Sequence, residues 1–317
     1  MITTDLTIAA NALNDQNIIG LPTETVYGLA GNAYSEEAIA KIFALKQRPL
    51  YNPLIVHIRS VDFLTQVAVE ISAMAMTLAN AFWPGPLTLV LKKKTEIPDI
   101  VTAGKDTVAV RVPNHPMALA LLSNIDFPLA APSANPFGSI SPTSAAHVSR
   151  YFADQLDVIL DGGNCQRGIE STIIGFENGQ PIVYRLGSLS IAEIESKVGS
   201  LRANTLDDAA PRAPGMGSRH YAPATKMLLT DDVRFLSEKF PNKKIGVLVF
   251  KNKTNAISII SEEILSEAGN LEEAAKNLYA AMHRLDKLDL DLIIAERLPN
   301  MGIGKTLNDK LKRATKQ

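Results

Sequence analysis

Between Asn17 and Gly187, short runs of isoleucine, valine and leucine alternate with stretches whose apolar residues recur at helical spacing. The runs NIIGL, PLIVHI, PLTLVL, VAVRV, PLAAPS, DVILDGG, STIIGF and PIVYRL are too short for helices and are predicted as strands, several buried on both faces. EEAIAKIFALK sets Ala38, Ile39, Ile42, Phe43 and Leu45 on one side of a helix, and AMAMTLANAF and MALALLSN read alike. The pattern predicts an α/β domain over residues 1–203 around a large mixed sheet. PRAPGMGSRHYAPA, residues 211 to 224, then breaks both rhythms with proline and glycine, so residues 204–225 read as a linker. Beyond it the alternation restarts: VRFLSEKF as helix, KIGVLVF as strand, NLEEAAKNLYAAMHRLDK as helix, LDLIIAERL as strand, GKTLNDKLKRAT as helix. This predicts a small Rossmann-like three-layer domain with a parallel sheet over residues 226–317.

A chain of 317 residues is long enough for two such cores. Its 46% hydrophobic and 21% charged residues suit a soluble globular protein, and a net charge of -1 argues against a surface coated in positive charge for nucleic acid. Any anion site is therefore local. Cys165 is the only cysteine, which excludes an internal disulfide framework and a cysteine-rich zinc site. The N-terminus lacks a basic stretch leading into an apolar core, and no apolar run approaches the ~18 residues of a membrane span. The expected home is the cytoplasm, with no membrane partner.

Several stretches carry chemistry-bearing residues. PNMGIGKT ends as a phosphate-binding loop ends, but Pro299 stands where such a loop needs glycine, so the stretch reads as a turn into the last helix. LPTETVYGLAG sets Thr23, Glu24, Thr25 and Tyr27 after a strand and before two glycines, where a small polar ligand can be met. LKQRPLYNPLIVH offers Lys46, Arg48, Asn52 and His57. The basic pair also complements a helix C-terminus, while Pro49 and Pro53 stiffen what is read as an exposed turn. Arg111 lies in the apolar strand VAVRV and must reach solvent, join a structural salt bridge, or take a bound anion such as a carboxylate. Ser133, Asn135, Ser141, Ser171, Thr172 and Arg185 add hydroxyls, an amide and another arginine around turns. The inventory favours binding and charge neutralisation over a covalent nucleophile.

The ordered series PTETVYGL, KQRPLYNPL, WPGPLT, VAVRVPNHP, PSAN, SPT, DGG, GIESTI and APGMGSRHYAP resembles the YrdC-like L-threonylcarbamoyladenylate synthases in their longer form with a C-terminal domain. The resemblance covers nearly the whole chain. It implies an α/β domain with a basic cavity, and a nucleotidyltransferase that joins L-threonine, bicarbonate and ATP into threonylcarbamoyl-AMP, releasing pyrophosphate. It also implies magnesium with the ATP, a role in making N6-threonylcarbamoyladenosine in tRNA, a downstream tRNA-modifying complex and possible contact with tRNA. Carried onto this chain, it suggests Thr25, His57, Arg111, Ala131 and Ser171 for threonine. It suggests Arg48, Asn52, Thr107, Ser133, Asn135, Ser141, Arg185 and Tyr221 for ATP, with Lys46, Arg48 and Arg185 neutralising the reacting phosphate and no metal-ligating residue. Relatives often read Arg-Pro-Gly where this chain has Arg185, Leu186 and Gly187, and the linker has Gly217-Ser218 where some relatives have a lysine and an aromatic residue. The linker is expected to close over the cavity as a lid, bringing Tyr221 to the nucleotide. The rival expectations are a noncatalytic RNA-binding protein using the same cavity, for which aromatic stacking motifs are lacking, and a carbamoyl transferase with another acceptor. The basic C-terminal helix is expected to be a solvated end.

Overall fold

The strand runs form one mixed sheet because most carry apolar side chains on both faces and need helices or a covering segment on each side. A computed structural model describes residues 1–203, 212–217, 220–254 and 259–316. Its first sheet contains β1 (Ile2–Thr3), β2 (Ile19–Leu21), β3 (Gly28–Asn32), β4 (Ile55–His57), β5 (Ala68–Val69), β6 (Leu87–Lys93), β7 (Thr107–Arg111), β8 (Leu129–Ala130), β9 (Val158–Leu160), β10 (Thr172–Glu177), β11 (Gln180–Arg185) and β12 (Arg202–Ala203). The order is β1-β9-β2-β3-β8-β4-β7-β6-β10-β11-β12, with β5 beside β6. Around it lie α1 (Leu6–Asn14), α2 (Glu36–Lys46), α3 (Ala73–Phe82), α4 (Asp99–Thr102), α5 (Pro116–Ser123), α6 (Ala145–Phe152) and α7 (Ile191–Val198). Every strand predicted from an apolar run is present. In this unit α1, α4, α6, α7, β1, β3, β5 and β12 were not predicted. The helix α7 had a legible start, since Ser190 and Glu193 form a reciprocal capping box. The strand β3 (GLAGN) has no β-branched residue because its neighbours crowd it: a Cβ on Gly31 would lie 3.1 Å from Ile18 Cγ2.

The second unit has four described strands, β13 (Met227–Thr230), β14 (Ile245–Val249), β15 (Ile259–Ile264) and β16 (Leu292–Glu296), all parallel in the order β13-β16-β14-β15. The flanking strands β13 and β15 were not foreseen. Period-2 alternation splits the faces: Val247 and Val249 pack beneath α8 (Val233–Ser237), while Leu248 packs with α9 (Leu271–Leu285) and α10 (Gly304–Ala314). Gly304 opens α10 against the Pro299 carbonyl, leaving no phosphate cradle there.

The two units share a core. Val26, Ile140 and Ile169 of the first cluster with Leu278, Tyr279, Met282 and Leu311 of the second. The C-terminal helix is not a solvated end, since Lys310 and Arg313 are buried at this junction and Arg313 donates to the Gly215 and Gly217 carbonyls. Nearby His147 of α6 stacks on His283 of α9, with ring centroids 4.0 Å apart.

Two outcomes follow from this packing. A Cβ on Gly187 would fall 2.2 Å from the Ser171 carbonyl carbon. Gly187→Ala is therefore expected to cost about 1–3 kcal/mol in a denaturant titration, as overpacking against backbone does. The stacked histidines give a pH dependence. Burial, then Lys287, Arg150 and Arg284, lowers the His147 pKa to about 4; burial, then His147 itself, lowers His283 to about 3. Both are neutral when folded and take a proton near pH 6.5 when unfolded, so their contribution is full above that pH and is lost as pH falls towards 3. Unfolding measured from pH 7 to 5 should lose up to about 1.4 kcal/mol per pH unit for each histidine, and His147→Phe should reduce that slope by one proton.

Candidate active site

The parallel pair β4 and β7 ends with His57 beside Arg111, so both side chains emerge at the C-terminal edge of the strands, where open α/β sheets place ligands. The β2–β3 turn brings Thr23, Thr25 and Val26 to the same edge, the end of β8 brings Ala131 and Ser133, and the start of β10 brings Glu170 and Ser171. Arg48 follows α2 and Arg185 ends β11. Pro214, Gly215 and His220 complete the wall of a single cavity. The linker stretch is thus part of the cavity. Ala213 and Met216 pack on the sheet face against Ile55, Val90, Ala109, Ile173, Ile182 and Tyr184. Pro211 and Arg219, also expected in this lid, lie outside the described residues.

The electrostatics are lopsided. Lys46 donates to the Ser133 and Asn135 carbonyls, Arg48 to the Asn52 carbonyl and amide oxygen and to the Pro53 carbonyl, and Arg185 to Ser171 and the Pro214 carbonyl. All of these acceptors are neutral. Burial, and next the Arg48 charge, hold the Lys46 pKa well below its ordinary value, and burial followed by Arg185 lowers that of Arg48 to about 9. Each cation raises the cost of its neighbour, and an anion between them relieves it. Burial, then Arg111, lowers His57 to about 3, so it is neutral at pH 7. His57 Nδ1 and His220 Nδ1 are buried with no hydrogen-bond partner among the described residues.

Two carboxylates balance part of this charge. Arg111 pairs with Glu24 at 2.5 Å, while its Nη1 donates to Thr25 Oγ1 at 2.9 Å and its Nε to the Gly85 carbonyl. The structural salt bridge left open by the sequence is therefore present. Glu170 accepts from Ser141 Oγ at 2.6 Å and Tyr279 OH at 2.9 Å, and pairs with Lys310 at 3.0 Å. Burial works against its charge, but Lys310, Arg185, Ser141 and His220 outweigh burial and bring its pKa down to about 2.

Of the residues suggested from the sequence, Thr25, Arg48, His57, Arg111, Ala131, Ser133, Ser171 and Arg185 line the cavity together. Lys46, Asn52, Asn135 and Ser141 stand buried behind it, bonded to its wall. Arg48 itself is buried, not on an exposed turn. Two residues are elsewhere. Thr107 opens β7 and lines a separate depression with Glu177 and Arg212. Four residues of strand, about 13 Å, separate it from Arg111. Tyr221 adopts a left-handed φ of 66°, which sends its ring into the domain junction. There it stacks on Tyr279 and its hydroxyl accepts from Lys310. The adjacent His220, not Tyr221, faces the cavity. Glu170 was not singled out; its only signal was a carboxylate in the apolar setting of GIESTIIG.

Comparison with known proteins shows the family. Residues 11–187 match the family of Sua5, YciO and YrdC proteins described as "Telomere recombination", and residues 189–315 match "Threonylcarbamoyl-AMP synthase, C-terminal domain". A threonylcarbamoyl-AMP synthase of Pyrococcus abyssi is 40% identical, the alignment covering 97% of this chain and 93% of that protein. One from Bacillus subtilis is 36% identical over 96% and 91%. The crystal structure of P. abyssi Sua5 complexed with L-threonine superposes with a TM-score of 0.90, covering 98% of this chain and 94% of that one. The chain belongs to the Sua5, YciO and YrdC family, in the two-domain form that carries the threonylcarbamoyl-AMP synthase C-terminal domain.

Proposed function

We propose that this chain is a threonylcarbamoyl-AMP synthase, joining L-threonine, bicarbonate and ATP and releasing pyrophosphate. The observation that carries the proposal is the buried trio Lys46, Arg48 and Arg185, whose hydrogen-bond acceptors are all neutral, in and behind the wall of a cavity that Arg111 and His57 also line. Such a cavity suits a polyanion beside an amino acid. The P. abyssi relative whose structure contains L-threonine supports the choice of amino acid. In this reading residues 1–203 are the catalytic unit, 204–225 its cover, and 226–317 a unit docked behind the cavity.

The threonine carboxylate meets Arg111 beside Glu24, with Thr25, Ala131 and Ser171 around the side chain and neutral His57 offering Nδ1. The threonine amine adds to carbon dioxide from bicarbonate and loses a proton, forming a carbamate. A carbamate oxygen then attacks the α-phosphorus of ATP, and the bond to the β-phosphate oxygen breaks as pyrophosphate leaves. Arg48 and Arg185 face the charge that develops, while Asn52, Ser133, Asn135, Ser141 and Lys46 hold them and the wall in place. Pro214, Gly215 and His220 cover the carbamate from water, which would otherwise hydrolyse it. Among the described residues no group of three histidine, cysteine or acidic side chains is placed to hold a metal, and both cavity carboxylates are ion-paired. In this proposal magnesium enters as part of the nucleotide substrate. The product is the activated donor for N6-threonylcarbamoyladenosine in tRNA, handed on to a tRNA-modifying complex, and contact between this chain and tRNA is part of the same proposal. Among the described residues no helix is long and apolar enough to cross a membrane, and we place the reaction in the cytoplasm.

Pyrophosphate release that requires threonine and bicarbonate together tests the reading; release with neither, or with another amine acceptor, overturns it. Arg111→Ala should raise the KM for threonine far more than that for ATP, by a loss of about 1.5–3 kcal/mol. Equal effects on both substrates would leave Arg111 as a purely structural partner of Glu24. Arg48→Ala should do the reverse, weakening ATP in a nucleotide titration while circular dichroism stays native.

A further inference from the structure

We propose that Lys310, on the last helix of the C-terminal unit, is a positioning residue for the nucleotide side of the cavity: by neutralising Glu170 it leaves Arg185 free for the substrate phosphates. The inference rests on the synthase reading above.

The geometry makes one ammonium serve two walls. Lys310 Nζ lies 3.0 Å from the Glu170 carboxylate and donates to Tyr221 OH at 2.8 Å, while sitting 4.3 Å above the Tyr221 ring. Lys310 is only 1% exposed and Glu170 7%, so water screens neither charge. Glu170 adjoins Ser171, whose carbonyl and hydroxyl accept from Arg185. Tyr221 adjoins His220, whose ring lies 4.0 Å from its own and lines the cavity. Two of the three partners of Glu170, Lys310 and Tyr279, come from the C-terminal unit. Without Lys310 the buried carboxylate keeps its charge only by drawing on another cation of the cavity. The field of Arg185 already reaches it, whereas burial holds the His220 pKa well below the ordinary histidine value, so His220 is not a second cation. Arg185 is a group the phosphates require, so an uncompensated Glu170 competes with substrate for it.

The test uses the full chain, with steady-state KM for each substrate and direct ATP titration. Lys310→Met should raise the KM for ATP about tenfold or more, weaken ATP titration in parallel, and change the KM for threonine by less than about threefold. Lys310→Met combined with Glu170→Gln removes both charges and should bring the KM for ATP back to within about threefold of the unmodified chain. Tyr279→Phe, which takes one donor from Glu170 and leaves its charge paired, should shift ATP in the same direction by a smaller factor. A scaffolding role predicts instead that the double variant is at least as impaired as the single, or that both substrates suffer equally; either result overturns the proposal. If Lys310→Met fails to fold, the double variant decides by the same criterion. ATP titration is read apart from turnover, so a chain that binds ATP but does not release pyrophosphate with threonine and bicarbonate refutes the synthase reading and not this inference.

Discussion

Three cations buried against neutral oxygens are the constraint around which this protein is arranged. Lys46, Arg48 and Arg185 gain no counter-charge from the acceptors they contact, and an uncompensated buried charge is costly. The fold meets that cost with backbone carbonyls. Lys46 at the end of α2 reaches the loop after β8, Arg48 turns back on Asn52 and Pro53, and Arg185 at the end of β11 reaches the residue before β10. Each contact needs a strand or helix end at a fixed place, so the sheet order and the charge cluster specify one another. The remaining electrostatic deficit is what a bound polyanion makes good.

The second unit is tied into the same arrangement. It shares an apolar core with the first, presents Tyr279 and Lys310 to Glu170, and anchors the linker through Arg313 at the Gly215 and Gly217 carbonyls. The segment that reads as a tether in sequence therefore has a fixed face on each side: Met216 against the sheet, Tyr221 against the C-terminal helices, His220 towards the cavity. Polar and ionic contacts of this buried kind contribute specificity of position more than net stability.

Local pattern carried much of this. Apolar runs and helical periodicity located every strand they predicted and the helices α2, α3, α5, α8, α9 and α10, because burial on a sheet or along a helical stripe is written in residues two, three and four apart. It missed β3, whose glycines answer to crowding by Ile18 and Ala131, residues distant in sequence. It also misjudged the last helix as solvated, since nothing local says that Lys310 meets Glu170 some hundred and forty residues away. The order of short motifs fixed the family and the candidate residues, eight of which line one cavity. What only the tertiary structure decided is which way those residues turn. Thr107 lies at the far end of the strand that delivers Arg111, and a left-handed backbone at Tyr221 gives the cavity His220 in its place. Composition and spacing determine which groups a chain possesses, but the direction of a side chain depends on backbone torsions and on partners that only folding brings within reach.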